Sequence, residues 1–371
     1  LYNVSDFCKK YQDNQSVELQ PVNNKLLIID EAQRVWNPIQ IALAKKNKLS
    51  SDQQAFIIKN EVSEAKLVLR AVLQAIVKDN KSRTVVFLMG SGQEIYIGEE
   101  DGEAYIQKAI EHIKGLKLTK EVGIHLFVPT QEMADTYSNL GHTCEVKIEL
   151  LLKQNKRNAY NDSALEFVSM IIDGSTPALG DDLRDAFYVF NDYKHLKEAL
   201  EPINTGAFSI GLVANGFDTL TEWVPGRYGN EAVSYLNLGG KKITNISNQE
   251  LKDFYVNKVS NAMMTFASQF NCQGLELDYT VMIWGNMMLR RNDRWELSTK
   301  AIGAIDKYCE KLSALVTAHP ELTNITVEKD ALRDTFVRNC YRVLLTRARI
   351  ATYIFIEDDE TYTYIKTVIR K

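Results

Sequence analysis

A run of four apolar residues, Leu26–Ile29, ends directly at two carboxylates, Asp30-Glu31. A uniformly apolar run of this length is typical of a strand buried on both faces of a parallel sheet. A second such run, Val85–Met89, lies in a predicted strand at Arg83–Met89, which follows a long helical pattern from Ser51 to Asp79. Alternation of buried strands with helices predicts an α/β fold with mainly parallel sheets flanked by helices.

The second half of the chain shows the same alternation of strands and helices, after a change in composition. The segment Lys153–Asp162 is polar and basic, and 371 residues exceed the ~100–200 of one ordinary domain. We therefore predict a division into residues 1–152 and 153–371. The elements predicted in the second half are strands at Ser209–Ala214, Tyr279–Trp284 and Thr352–Ile356, and helices at Ser163–Ile172, Ile246–Val259, Thr299–Thr317 and Ala331–Arg349.

Composition limits the partners and the compartment. The net charge is −4, so affinity for nucleic acid must come from a local groove and not from the global field. No apolar run approaches the ~18–20 residues of a membrane span, and no membrane partner is expected. Five scattered cysteines without a CxxC pair favour reduced thiols and a cytoplasmic location.

The Asp30-Glu31 pair lies where open α/β sheets bind ligands, at the carboxyl end of a strand. In nucleotide hydrolases such an Asp holds Mg²⁺ and a following Glu orients and deprotonates the attacking water. A solvated strand end with charges at the start of the next helix explains the pair equally well.

Each of two glycine-containing segments has a ligand-binding interpretation and a simpler structural one. Gly90-Ser91-Gly92-Gln93 follows a buried strand, and the Gln93 amide can exchange hydrogen bonds with a phosphate or water. A plain β-turn is the simpler interpretation of that segment by itself. Gly274 and Glu276 precede the strand at Tyr279, and Glu276 offers a carboxylate to ribose hydroxyls, whereas a helix C-cap at Gly274 is the simpler alternative.

Near the carboxyl terminus, the segment Arg338–Arg349 of a predicted helix carries four arginines. A period of 3.6 residues aligns Tyr341, Leu344, Leu345 and Ala348 as the buried stripe. Arg338, Arg342 and Arg349 then share one flank, a solvated basic face, and Arg347 stands alone on the other. An isolated arginine beside a buried seam has the geometry of an arginine finger.

Taken in order, these segments resemble superfamily 1 DNA/RNA helicases, and most closely the Schlafen group 3-like helicase domain family. The segments that carry the resemblance are LLIIDEAQ for motif II (Walker B), GSGQEIY for motif III, LKQNKR (152–157) for motif IV, CQGLELDY for motif V and YRVLLTRAR for motif VI. The likeness extends from about Lys25 to Ile356. It implies two tandem RecA-like domains, with ATP and Mg²⁺ between them and single-stranded DNA or RNA across both.

The resemblance also implies roles for individual residues in ATP hydrolysis. Asp30 would coordinate Mg²⁺, and Glu31 would be the catalytic base. Gln93 would sense the γ-phosphate and couple it to the nucleic-acid groove.

Three further residues would act from the second domain. Arg157 and Arg347 would reach the γ-phosphate, and Glu276 would contact the ribose or the neighbouring backbone. Together these residues imply an ATP-dependent helicase or translocase.

The chain contains no GxxxxGK[ST] string, and the nearest segment, Leu238–Lys242, lacks both the first glycine and the Ser/Thr. In the family, the Walker A loop precedes motif II, so it would lie before Leu1. We therefore expect a first RecA-like domain that is truncated at its amino end, and a chain that is inactive by itself.

Two other functions remain open from the sequence. The acidic surface and short spacing between motifs favour a nucleotide-gated switch or scaffold that binds ATP without translocating. Alternatively, an upstream domain of the same parent protein carries a nuclease, with this chain as its ATPase. The acidic runs Glu99–Glu103 and Glu357–Glu360 are interpreted as solvated loops.

Overall fold

In a computed structural model, the structure describes residues 2–3, 21–22, 24–44, 49–89, 102–113, 124–139, 142–147, 150, 161–176, 180–203, 207–215, 266–272, 277–298, 303–325 and 328–369. The predicted helix Ile246–Val259 lies outside these ranges. In the described part of the chain, no helix is both long enough and apolar enough to cross a membrane.

The strands of the described residues are short. They are β1 (Tyr2–Asn3), β2 (Leu26–Asp30), β3 (Thr84–Phe87), β4 (His125–Val128), β5 (Thr143–Val146), β6 (Phe187–Phe190), β7 (Ile210–Ala214), β8 (Phe266–Ser268), β9 (Leu277–Ile283), β10 (Met288–Arg291), β11 (Arg294–Leu297) and β12 (Ala348–Phe355).

Helices alternate with most of these strands. They are α1 (Pro38–Ala44), α2 (Ser51–Lys59), α3 (Glu64–Asp79), α4 (Gly102–Ile113), α5 (Gln131–Asn139), α6 (Asn161–Ile172), α7 (Tyr193–Leu200), α8 (Gln269–Cys272), α9 (Gly303–Ala318), α10 (Lys329–Leu345) and α11 (Asp359–Ile369). Short 3₁₀ helices occur at Ala32–Arg34, Asp181–Leu183 and Pro320–Leu322.

The chain divides into two compact units. The first comprises Leu1–Lys153 and Gly303–Leu332, and the second comprises Gln154–Ile302 and Arg333–Lys371. The predicted division at 152/153 treated each half as continuous, whereas Gly303–Leu332 groups with the first unit because α9 packs against α1 and α2.

The first unit contains two parallel sheets, one ordered β1-β2-β3 and one formed by β4 and β5. The helical pattern at 51–79 forms two helices instead of one. Ser50 caps α2 and Ser63 caps α3, each accepting a hydrogen bond from a first-turn amide. Glu61, with a φ of 48°, lies in the turn between them. A second capping serine therefore splits a pattern whose apolar period is continuous.

The second unit is built on a five-stranded parallel sheet ordered β6-β12-β9-β7-β8. All five residues of β7 are buried, as a central strand covered on both faces requires. On one face, Leu196 and Leu200 of α7 pack against Val281 and Tyr353 of the sheet. The α/β architecture with parallel sheets flanked by helices is thus confirmed.

Some element boundaries differ from those predicted. The half-buried strand expected at Glu145–Leu150 lies instead at Thr143–Val146. The helix expected at Ala331–Arg349 ends at Leu345, and Ala348 already begins β12. The hairpin formed by β10 and β11 was not predicted at all.

Candidate functional site

The carboxylates Asp30 and Glu31 lie at the carboxyl end of β2, which is the middle strand of its sheet. Strand β3 runs parallel to β2, with Ile29 opposite Phe87. Both strands therefore end at the same edge of the sheet. This is the position at which open α/β sheets bind their ligands.

Backbone hydrogen bonds fix the turn that carries Glu31. The Leu88 amide donates to the Ile29 carbonyl at 2.9 Å, and the Ala32 amide donates to the Leu88 carbonyl at 2.8 Å. Ile29 and Ala32 have no exposed surface. Hydrogen bonds on both sides thus attach the Asp30-Glu31 turn to Leu88, which lies two positions before Gly90-Ser91-Gly92-Gln93.

Glu31 has a left-handed backbone, with φ 52° and ψ 44°. A residue with a Cβ pays ~1–2 kcal/mol for this conformation. The Glu31 amide donates to Asp30 Oδ1 at 3.0 Å, which partly compensates for the strain and orients the Asp30 carboxylate. Non-glycine residues in this region of φ and ψ cluster at functional sites.

Asp30 is a candidate metal ligand at this edge of the sheet. No group of three or more His, Cys, Asp or Glu side chains that could hold a metal occurs among the described residues. Mg²⁺ is commonly bound through one or two carboxylates together with waters and substrate phosphates. Asp30, with Oδ1 oriented by a backbone amide, meets that requirement.

Arg347 lies between α10 and β12 and not on the helix, which corrects the helical argument for its isolation. Its side chain is buried, with 6% of its surface exposed. Nε donates to the Val343 carbonyl at 2.9 Å and Nη1 donates to the Cys272 carbonyl at 3.4 Å. The guanidinium thereby joins the end of α10 to α8, whose last residue, Cys272, is the first residue of the segment that resembles motif V.

The environment of Arg347 is nonpolar enough to suppress ionisation of its neighbour. Burial raises the pKa of the Cys272 thiol to about 12, although the positive charge of Arg347 opposes this shift. Cys272 is therefore a neutral core residue and not a nucleophile.

The other three arginines do not form one basic face. Arg338 Nη1 donates to the Ile172 carbonyl, and Arg342 Nη1 donates to Asn339 Oδ1. Arg349 lies on β12. Of the predicted buried stripe, Tyr341, Leu344 and Leu345 are buried on α10, whereas Ala348 is buried on β12 and not on the helix.

Three predicted site residues, Gln93, Arg157 and Glu276, lie outside the described residues. The structure therefore places Asp30 and Glu31 together in the first unit and Arg347 in the second. Near the position of Glu276, Asp278 accepts hydrogen bonds from the Ser209 amide and hydroxyl at 2.8 and 2.9 Å. This contact fixes the start of β9 against β7, and the acidic residue in LELD was its only signal in the sequence.

The acidic run Glu357–Glu360 is not a solvated loop, because Asp358 makes a two-pronged ion pair with Arg291 of the hairpin. The two N–O distances are 2.7 and 2.6 Å. Hydrogen bonds from Arg291 hold the pKa of Asp358 at about 2. Sequence reasoning missed this pair because its members are 67 residues apart.

The fold and this edge of the first unit define an α/β protein with carboxylates at the carboxyl end of a parallel sheet. The model of the family described as Schlafen group 3, DNA/RNA helicase domain, matches residues 2–358. The chain belongs to this family, as its sequence motifs indicated. No curated protein and no solved structure matches the chain.

Proposed function

We propose that the chain belongs to an ATP-driven nucleic-acid motor built on two RecA-like domains, which divide near residue 152. The observation that supports this proposal best is the position of Asp30 and Glu31, in motif II of a helicase-domain family, at the carboxyl edge of a parallel sheet. ATP would be the fuel, and single-stranded DNA or RNA would be the polymer.

In this proposal, Glu31 holds and deprotonates the water that attacks the γ-phosphate. The rigid turn at Glu31 supports this role, since a base must be held within hydrogen-bond reach of its water. Asp30 would hold Mg²⁺, which neutralises charge on the phosphates during transfer. Gln93 would contact the γ-phosphate and couple its presence to the nucleic-acid groove.

The second unit would supply positive charge to the γ-phosphate through Arg157 and Arg347, and Glu276 would contact the ribose. For Arg347 this has a structural consequence. Its Nη1 is bonded to the Cys272 carbonyl at 3.4 Å, and a phosphate that drew Nη1 away would replace this bond with a charge-assisted one. ATP binding would then alter the link between α8 and α10.

The test measures ATP hydrolysis by the product of the complete open reading frame, with and without single-stranded DNA and RNA. The motor predicts stimulation by at least one polymer, and binding that weakens steeply with salt because phosphate contacts release counterions. Turnover that ignores both polymers, or ATP binding without turnover, would favour the nucleotide-gated switch instead.

Glu31→Gln tests the assignment of the base. We expect it to abolish turnover while ATP binding persists, because the amide keeps the shape of the carboxylate but cannot accept the proton. Glu132→Gln, an exposed change on α5, is the matched control and should retain wild-type turnover. Full activity of Glu31→Gln would refute the role of Glu31.

A further inference from the structure

A second group of reactive side chains occurs in the first unit, at residues for which the family motifs assign no role. Ser51 is the first residue of α2, and His319 and Glu321 lie just after α9. The Ser51 hydroxyl is 2.8 Å from His319 Nε2, and His319 Nδ1 is 3.2 Å from Glu321 Oε1. Residues 268 positions apart thus form one chain of hydrogen bonds.

The direction of these hydrogen bonds follows from the carboxylate. Ionised Glu321 only accepts, so His319 Nδ1 must carry the proton in the neutral imidazole. Nε2 is then an acceptor, and the Ser51 hydroxyl donates to it. The hydrogen bond with His319 also helps to lower the pKa of Glu321, after the larger effect of the hydrogen bond from its own backbone amide.

Burial differs within the group, because Glu321 is 48% exposed and the imidazole beside it is largely covered. The His319 side chain is only 13% exposed, so its ring is held by its surroundings, whereas Ser51 is exposed to solvent. Asp52 Oδ1 also lies 3.8 Å from Nε2, but its side chain is 94% exposed and its field is screened by water.

The backbone at Ser51 adds a place for developing negative charge. Ser50 caps the Gln53 amide, so the first-turn amides of Ser51 and Asp52 are not used by that cap. In serine hydrolases with a strand-to-helix nucleophile turn, the amide after the serine stabilises the oxyanion. Asp52 occupies this position in the chain.

We propose that Ser51, His319 and Glu321 form an acyl-transfer site for small, accessible carboxylic esters. Ser51 Oγ attacks the ester carbonyl and forms a bond to its carbon, while His319 Nε2 takes the hydroxyl proton. The bond to the leaving alcohol then breaks, and His319 returns the proton to that alcohol. Water, activated in the same way, releases the acid and restores Ser51. Glu321 acts as a positioning residue that holds the imidazole in the reactive tautomer.

The experiment uses p-nitrophenyl acetate and a fluorophosphonate probe on the full chain, with the modified residue located by peptide mass spectrometry. We expect both reagents to modify Ser51 and Ser51→Ala to lose that modification. His319→Gln should slow acetylation at least ~100-fold, the contribution of a positioned general base. Thr317→Ala is the matched control, because it removes a hydroxyl on α9 that donates to the Ser313 carbonyl. This variant should react as the wild type does.

A conservative variant separates catalysis from a structural role. Glu321→Gln should slow acetylation of the folded protein, because the imidazole loses the carboxylate that orients it. Glu321→Asp keeps a carboxylate and should recover part of the rate. Modification that is spread over other residues, or unaltered acetylation of a folded His319→Gln variant, would overturn the proposal and leave the group as a contact between α2 and the segment after α9.

Discussion

At the scale of single residues, Glu31 shows what local sequence can and cannot reveal. Its position after a buried strand was predictable from four apolar residues and two carboxylates. Its left-handed backbone was not, because that conformation depends on hydrogen bonds to Leu88, which is 57 positions away. Arg347 is a similar case, since carbonyls of Val343 and Cys272 hold it off the helix on which periodicity had placed it.

The strain at Glu31 can be measured. We expect Glu31→Gly to be more stable than Glu31→Ala by about 1 kcal/mol, because only glycine adopts φ 52° without a steric penalty. Chemical denaturation of the two variants measures the difference directly. Equal midpoints would mean that the turn does not have this conformation in solution. Both variants lack the carboxylate that we propose as the base, so the proposal predicts that neither hydrolyses ATP.

At the scale of elements, runs of buried strand residues were predictable and the β10–β11 hairpin was not. Its strands contain Arg290 and Arg291, which local patterns assign to the surface. Arg290 is nevertheless buried, with its guanidinium 4.2 Å from the ring centroid of Tyr364 and 5.3 Å from that of Trp295. Such burial depends on aromatic partners from a distant helix and from the opposite strand, which no local period reveals.

The attachment of this hairpin to α11 should depend on pH. The pKa of Asp358 is lowered from 3.8 to about 2, so its contribution to stability is complete above pH 4 and is lost as the pH falls toward 2. Thermal unfolding at several pH values should show that the difference between wild type and Asp358→Asn shrinks over this interval. A constant difference would refute the ion pair as its source.

Asp358 also caps α11, since it accepts hydrogen bonds from the Thr361 amide and hydroxyl. Asp358→Ala should therefore cost about 2 kcal/mol, because it loses both the cap and the ion pair. Asp358→Asn keeps an acceptor for the amide and should cost about half as much. Denaturant midpoints of the two variants separate the cap from the charge, and equal losses would show that the cap contributes nothing.

At the scale of the whole molecule, each of the two units is built from two separate segments of the chain. The change in polarity after Leu152 led to a predicted domain boundary there. It gave no sign that Gly303–Leu332 belongs to the first unit. This return depends on the apolar face of α9, which includes the buried Leu312 and Leu315. Helix α9 packs against α1 and α2, which are more than 240 residues earlier in the chain. Local patterns describe the face but not its partner.

Hydrogen exchange can test this division. Leu315→Ala should cost about 2–5 kcal/mol, the range for truncation of a buried leucine. In this variant, backbone amides of α2 and α9 should lose protection from exchange before amides in the sheet of the second unit do. Val281→Ala, a truncation in that sheet, is the control and should produce the reverse order. Equal deprotection of both units by Leu315→Ala would mean that they unfold as one.

Because Gly303–Leu332 belongs to the first unit, that unit is complete only late in synthesis of the chain. When Lys153 leaves the ribosome, the faces of α1 and α2 that pack against α9 have no partner yet. At ~5–20 residues per second, the missing segment follows roughly 9–36 seconds later. During that interval the nascent chain exposes an apolar surface, so chaperone binding to the early helices and the spacing of slow codons before residue 303 become determinants of yield.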